Sequence, residues 1–245
     1  MNNILNISIP DSWQALCDRQ LRFVFRTLAT DVTLDQLKTL CLVKFAKMQI
    51  VRREGSAFIV KVNGKNYPLT AGQIAESLSS SMKWLDGFPD YPVRLSRIGL
   101  HRPVRADFQD VTFGDFLILD NLYQGYLQTQ KGNLLKEMAK IMYQSKHIRL
   151  SREEELCIFY WFSSVKQMFA RMFSHFFKSV STDDDNPALP SYQQLQEATN
   201  TQIRALTGGD ITKEKEVLAM DCWRALTELN AKAKDYEDMK NSQKP

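Results

Sequence analysis

Apolar residues recur every three or four positions in several segments that begin with Ser or Thr followed three places later by Gln, Glu or Asp. Such a pair of side chains satisfies backbone N–H groups that the first turn of a helix leaves unpaired. The pattern predicts helix starts at Thr33/Gln36, Thr70/Gln73, Thr112/Asp115, Ser151/Glu154 and Ser191/Gln194. With further starts at Asp11 or Ser12 and at Thr212, we expect helices near residues 12–29, 33–46, 70–85, 112–129, 133–143, 151–178, 191–206 and 212–239.

A different pattern separates the second and third of these helices. Short runs rich in β-branched and aromatic residues are divided by Glu54-Gly55 and by Asn63-Gly64, and Asn-Gly suits the positive φ angles of a tight hairpin turn. We expect a meander of two or three strands over residues 48–67, packed on helices because an isolated hairpin is only marginally stable. The predicted fold class is therefore mainly α, with a small β-hairpin insert near 48–67 and a C-terminal helical extension.

Two segments lack helical periodicity. Residues 88–110 contain three prolines, which predict a long connection or an arm. Residues 181–190 are an acidic, proline-containing stretch that is typical of an exposed linker. The predicted organisation is a helical core domain at 1–180 that includes the arm, a linker at 181–190 and a helical pair at 191–245.

Composition places the 245-residue chain among ordinary globular proteins. Apolar residues make up 44% of it, with 10 Gly and 8 Pro, which argues against collagen-like, low-complexity and wholly disordered chains. Charge is uneven: residues 1–180 carry 24 basic and 16 acidic side chains, whereas residues 181–245 carry 8 and 12. The two parts, or neighbouring copies of the chain, can therefore attract one another.

The four cysteines are scattered and have no histidine near them at the spacing of zinc ligands: Cys17, Cys41, Cys157 and Cys222. We therefore expect neither structural zinc nor a disulfide framework. The N-terminus lacks the pattern of a signal peptide, and the longest uncharged apolar run, residues 156–165, is too short to cross a bilayer. The expected location is a reducing cytoplasm, without membrane attachment.

Four arginines fall within a short stretch that contains no acidic residue: Arg94, Arg97, Arg102 and Arg105. They suit the phosphate oxygens of a nucleic acid, or carboxylates of the acidic C-terminal part or of an adjacent subunit. We favour protein carboxylates, because neither interleaved aromatic residues nor a groove-reading helix supports nucleic acid further.

The helix expected at 151–178 is unusually aromatic and includes Trp161, Met168 and Met172. Its apolar residues cover more than one face, which favours a central core helix packed on several sides. A surface that binds an apolar partner is the alternative, because Met and aromatic side chains adapt to varied partners.

The last predicted helix places Val217, Met220 and Trp223 on one side. Its first half must dock on an apolar surface. Its own domain and another copy of the chain are equally good candidates.

No pattern of catalytic residues stands out. The three histidines lie in different segments without a nucleophile motif, and there is no phosphate-binding glycine loop, calcium loop or HExxH motif. The sequence predicts a protein that is not an enzyme and that needs no metal or cofactor.

Four segments in this order resemble a known group: IPDSWQALCDRQLRFVFRTLA, WLDGFPDYPVRL with DFQDVTFGDFLILDNLYQGYLQT, IFYWFSSVKQMFARMFSHFF, and IRALTGGDITKEKEVLAMDCWRALTELNAKA. They are similar to uncharacterised proteins from tail-region gene clusters of Bacteroidales-type tailed phages and prophages. The resemblance implies virion morphogenesis, as a tail assembly chaperone or as a head–tail connector, neck or tail-ring component. It brings no catalytic residues.

That resemblance implies an oligomer whose partners are copies of itself or other phage structural proteins. It would act in the host bacterial cytoplasm during assembly, or in the finished particle. The alternative function is a cytoplasmic helical nucleic-acid-binding protein that uses Arg94 to Arg105. Phosphate-driven binding weakens steeply with salt and an apolar interface does not, which separates the two.

Overall fold

The computed structural model describes residues 7–178 and 191–242. Its helices are α1 (Asp18–Leu28), α2 (Leu34–Phe45), α3 (Ala71–Ser80), α4 (Phe113–Thr129), α5 (Gly132–Met142), α6 (Arg152–Met172), α7 (Ser174–Lys178), α8 (Tyr192–Thr207), α9 (Glu214–Ala219) and α10 (Cys222–Ser242). Short 3₁₀ turns lie at Trp13–Ala15, Lys83–Asp86 and Ile211–Lys213. The strands are β1 (Gln49–Glu54), β2 (Ala57–Val62) and β3 (Lys65–Thr70). The predicted fold class, mainly α with a small β insert, is confirmed.

The predicted capping pairs start four of these helices. The Thr33 hydroxyl accepts a hydrogen bond from the Gln36 N–H at 3.3 Å, and the Gln36 side chain accepts one from the Thr33 N–H at 2.9 Å. The same exchange begins α3 and α8, and the Thr112 hydroxyl caps α4. Each helix start is thus encoded by residues three positions apart.

The strands form an antiparallel sheet in the order β1-β2-β3. Asn63 and Gly64 both have positive φ, 49° and 83°, as the predicted hairpin turn requires. Gly55 opens the first hairpin with a φ of 59°. The edge strand β1 is exposed along its whole length and is interrupted by a bulge at Val51.

The chain divides into two compact units. The first unit is Met1–Pro89 with Arg152–Cys157, and the second unit is Asp90–Ser151 with Ile158–Pro245. This division differs from the predicted boundary at 181–190, a segment that lies outside the described residues. The described helices after that segment belong to the second unit, where α10 lies against α4, α7 and α8.

The first unit is organised around Trp13, whose side chain is buried. Its ring stacks on Phe25 at 5.9 Å between centroids and meets Trp84 edge-on at 5.3 Å, while its indole N–H donates to the Trp84 carbonyl oxygen at 2.9 Å. These contacts tie the N-terminal turn to α1 and to the segment after α3.

The second unit is built on the aromatic part of α6. Trp161 and Phe162 are fully buried, and the indole N–H of Trp161 donates to the Ala106 carbonyl oxygen at 2.8 Å. Phe108 contacts both rings, at 5.7 and 6.0 Å between centroids. The expectation of a central core helix packed on several sides agrees with this arrangement.

Candidate functional site

The four arginines predicted to form one binding arm have different surroundings. The segment that carries them is folded into the second unit, because Val93, Leu95, Ile98, Val104 and Phe108 along it are buried. Arg94 is half-buried, with its guanidinium 5.8 Å from the centre of the Trp161 ring. Arg105 is paired with Asp107, whereas Arg97 and Arg102 are exposed. The predicted arm is therefore a connection packed on the core.

A tightly bonded loop follows at residues 105–110. The buried Asp107 carboxylate accepts hydrogen bonds from the Tyr91 hydroxyl at 3.1 Å, from Arg105 at 3.3 Å and from the Gln109 N–H at 3.3 Å. Burial alone would raise the pKa of this carboxyl, but those three donors and the Arg105 charge outweigh it and hold the pKa below its usual value. Phe108 beside it takes a φ of 62°, which is unusual for a buried aromatic residue.

The predicted partner-binding residues of α6 divide between core and surface. Trp161 and Met168 are buried, so the described chain does not present them to a partner. Met172 is 52% exposed at the end of the helix. Sequence periodicity could not separate these positions, because the helix is apolar on nearly every face.

The C-terminal residues dock on their own unit. Val217 is buried in α9, Met220 and Trp223 are half-buried, and the Trp223 ring lies edge-on to Phe169 at 5.5 Å. The indole N–H of Trp223 donates to the Asp107 carbonyl oxygen at 2.7 Å. Of the two docking partners left open by the sequence, the structure shows the chain's own domain.

An apolar groove between α1 and α2 lies in the first unit. It has a volume of about 750 Å³ and is lined by Cys17, Arg19, Gln20, Phe23, Leu40, Val43, Lys44, Phe45, Lys47, Met48 and Gln49. Leu40 is 44% exposed, and Lys44 lies over the Phe23 ring at 5.5 Å. None of these lining residues is acidic, so the α1/α2 groove combines an apolar floor with a cationic rim.

The last turns of α10, residues 232–242, form a C-terminal tail with exposed apolar side chains. Tyr236 is 65% exposed and Met239 is 57% exposed, and their spacing places them on one helical side. Asp235 and Asp238 flank that side and form no ion pair with any described residue. The tail therefore has an acidic flank on the Met239 side, while the exposed Lys232 and Lys240 lie four residues before and after Tyr236.

Basic side chains cluster on a third surface, which lies in the second unit. A basin of about 580 Å³ is lined by Ile98, Gly99, His101, Lys136, Lys140, Lys146, His147, Ile148 and Arg149. None of the four arginines of the predicted arm lines it. Its lysines and its arginine come from α5 and from the loop that follows α5.

Sequence reasoning missed the groove and the basin because each combines side chains from separated segments. A partial signal existed for the basin in the i, i+4 spacing of Lys136 and Lys140 and in the run Lys146 to Arg149. For the groove, the exposed Leu40 could not be distinguished from the buried Leu37 by periodicity alone.

Within residues 7–178 and 191–242, no group of three or more His, Cys, Asp or Glu side chains is placed to hold a metal ion. None of the described helices is both long and apolar enough to span a bilayer. Comparison with known proteins finds no matching family model, no similar characterised protein and no similar solved structure.

Proposed function

We propose that this protein acts without catalysis as an assembly or structural protein of a tailed phage, and that it works by binding other copies of itself. The observation that carries the self-binding is the complementarity between the α1/α2 groove and the C-terminal tail. The phage assignment is supported by the sequence resemblance to tail-region proteins, and the location that goes with it in this proposal is the host bacterial cytoplasm during assembly.

The groove suits an amphipathic helix with acidic side chains. Helices commonly bind partners by laying apolar side chains spaced three and four residues apart into an apolar groove. The floor around Phe23, Leu40 and Val43 supplies the apolar surface. Arg19, Lys44 and Lys47 supply exposed positive charge around it.

The C-terminal tail of a second copy fits this description. Tyr236 and Met239 provide the two apolar side chains, and Asp235 and Asp238 provide the acidic flank. Because the groove and the tail are different surfaces of the same chain, their contact is heterologous. Repetition of a heterologous contact builds a closed ring or an open filament, which are the forms that a tail-ring or neck component requires.

The proposal predicts association that depends on these charges. The double substitution Arg19→Glu with Lys44→Glu should weaken self-association by about tenfold or more, because it places like charges opposite each other. Asp235→Lys with Asp238→Lys should do the same. A mixture of the two double variants should recover association through the reversed pairs, as measured by sedimentation velocity across a concentration series.

Lys61→Glu with Lys65→Glu is the matched control, since both lysines are exposed on the sheet outside the groove. It changes net charge equally and should leave association unchanged. A protein that stays monomeric at every concentration, or a mixture of variants that fails to recover association, would contradict the proposal.

A further inference from the structure

The basic basin in the second unit is built from three segments that lie apart in the sequence. One is the turn that carries Gly99 and His101, another is the last half of α5, and the third is the loop at 146–149. Its volume of about 580 Å³ exceeds what a single phosphate group fills. Neither the self-association surfaces nor the predicted arginine arm accounts for it.

Hydrogen bonds hold these segments in place. Two residues after the end of α5, Gln144 has a φ of 47°, and the Ser145 N–H donates back to the Lys140 carbonyl oxygen at 2.8 Å. Ser145 then donates its hydroxyl to the His147 carbonyl oxygen at 3.0 Å and lies 3.4 Å from Nε2 of His101. The turn itself is closed by reciprocal backbone bonds between Ile98 and His101, at 3.0 and 3.2 Å. The basin is thus preorganised.

The basin has positive charge that its own lining does not neutralise. Lys136, Lys146 and Arg149 are exposed, and none of them forms an ion pair with a side chain in the described part of the chain. Lys140 is the exception, because its ammonium contacts the Glu137 carboxylate at 2.7 Å. No acidic residue is among those that line the basin.

The composition of the basin favours a chain of phosphates over an acidic peptide. Peptide and protein partners obtain most of their binding energy from a few anchor side chains, often Trp, Tyr or Arg, that fill well-packed, desolvated pockets. Here the two apolar lining residues, Ile98 and Ile148, are 2% and 3% exposed, so they offer a peptide almost no surface. Phosphate contacts need only well-placed cations, and lysines provide these without demanding a fixed geometry.

We propose that this basin binds the phosphodiester backbone of a nucleic acid, through Lys136, Lys146 and Arg149, without reading the base sequence. No Phe, Tyr or Trp side chain lines the basin to stack on bases, so the lysines and the arginine favour contacts to the backbone. This assignment replaces Arg94 and Arg105, whose guanidinium groups lie against Trp161 and Asp107.

The test uses the full chain and fluorescently labelled DNA oligonucleotides of mixed sequence, single- and double-stranded, in anisotropy titrations across a series of NaCl concentrations. The triple variant Lys136→Gln, Lys146→Gln, Arg149→Gln should lose at least about tenfold in affinity. The slope of log affinity against log salt should fall by about two to three, because roughly one counterion is released for each phosphate contact.

Two further variants make the result decisive. One is a control triple variant that removes the same charge from exposed positions outside the basin: Lys61→Gln, Lys65→Gln, Lys215→Gln. Its DNA affinity and its salt slope should stay within about twofold of those of the unmodified chain. The other is a triple variant that keeps the positive charge of the basin and should also keep DNA binding: Lys136→Arg, Lys146→Arg, Arg149→Lys. Melting by circular dichroism verifies that each variant is folded.

Three outcomes would overturn the proposal. The first is absence of DNA binding at low salt. The second is an equal loss of affinity in the basin variant and in the variant outside it, which would indicate diffuse attraction. The third is affinity that does not increase with oligonucleotide length while inorganic phosphate displaces the DNA completely, which would indicate a small-anion site.

Discussion

The carboxylate of Asp107 organises the loop at residues 105–110. It accepts hydrogen bonds from Tyr91, Arg105 and the Gln109 N–H, while its backbone carbonyl oxygen accepts one from Trp223. The neighbouring left-handed conformation of Phe108 costs about 1–3 kcal/mol, so the surrounding contacts must stabilise it by more than that. This loop packs on the aromatic core of the second unit, through Ala106 and Phe108 against Trp161.

We expect Asp107→Asn to lower the free energy of unfolding at neutral pH by about 1–3 kcal/mol, because a hydrogen-bonded charge is lost from a buried position. The pKa of Asp107 is depressed in the folded state, so its stabilisation is full above its unfolded pKa of about 4 and is lost as the pH falls through the folded pKa. The difference between the variant and the unmodified chain should therefore shrink below about pH 4 in urea titrations.

Asp90→Asn is the control for this prediction, because the Asp90 side chain is fully exposed and its distance to Arg171 is 4.0 Å. It should change stability by less than about 0.5 kcal/mol. A pH-independent effect of Asp107→Asn would indicate that shape, and not charge, stabilises the loop.

Two glycines in α4 give opposite expectations for the same substitution. A Cβ on Gly114 would lie 3.0 Å from the Leu218 carbonyl oxygen, whereas a Cβ on Gly125 would meet only the end of the Leu134 side chain at 3.4 Å. Gly114→Ala should lower the free energy of unfolding by about 1–2 kcal/mol, because the backbone at Leu218 must move to make room for the methyl group. Gly125→Ala should stabilise by up to about 1 kcal/mol through helix propensity, as measured by thermal unfolding. Equal shifts for both would contradict the close approach of α4 and α9.

At the scale of elements, four helix starts and the helix ends expected at 46, 129, 143 and 206 were predicted to within one residue, whereas the start expected at Asp11 or Ser12 was wrong. Only a 3₁₀ turn forms at Trp13–Ala15, and α1 begins at Asp18. The starts at Thr33, Thr70, Thr112 and Ser191 depend on side chains three residues away, which a sequence displays directly. The predicted helix at 212–239 is instead divided into a 3₁₀ turn, α9 and α10. The break lies where the Phe113 N–H donates to the Met220 carbonyl oxygen, a contact between residues far apart in the chain.

Two further differences in helix length have related causes. The helix expected at 70–85 ends at Ser80, after which the chain turns so that Leu85 is buried and the Trp84 carbonyl oxygen receives the Trp13 indole N–H. The helix expected at 151–178 breaks at Phe173, where the Asn230 side chain accepts the backbone N–H groups of His175 and Phe176. Tertiary partners, invisible in local sequence, set both ends.

At the scale of the whole molecule, the charge asymmetry predicted attraction between parts of the chain or between copies, and the structure adds surfaces that suit it. The α1/α2 groove has a cationic rim, and the C-terminal tail has an acidic flank. The predicted partner residues Val217, Met220 and Trp223 instead pack on their own unit, because the indole of Trp223 fills a position between Phe169 and Phe173. The spacing of apolar residues indicates that one face of a helix is buried, but it does not indicate which surface covers that face.

The thiols of the chain allow the self-association to be tested directly. Cys17 is exposed and lines the α1/α2 groove, whereas Cys41, Cys157 and Cys222 are buried. Burial raises the pKa of Cys41 to about 12 and also raises the pKa of Cys222, so both remain unreactive thiols at neutral pH. A reagent specific for thiols will therefore report on Cys17 in the folded protein.

The decisive measurement is cross-linking of Met239→Cys with a short bismaleimide, analysed by denaturing gel and peptide mass spectrometry. If the tail of one copy occupies the groove of the next, Cys17 and the new thiol should join between copies and give a ladder of covalent oligomers. Lys215→Cys, exposed on α9, should give no such ladder. A product that remains a covalent monomer, or equal ladders from both variants, would contradict head-to-tail assembly.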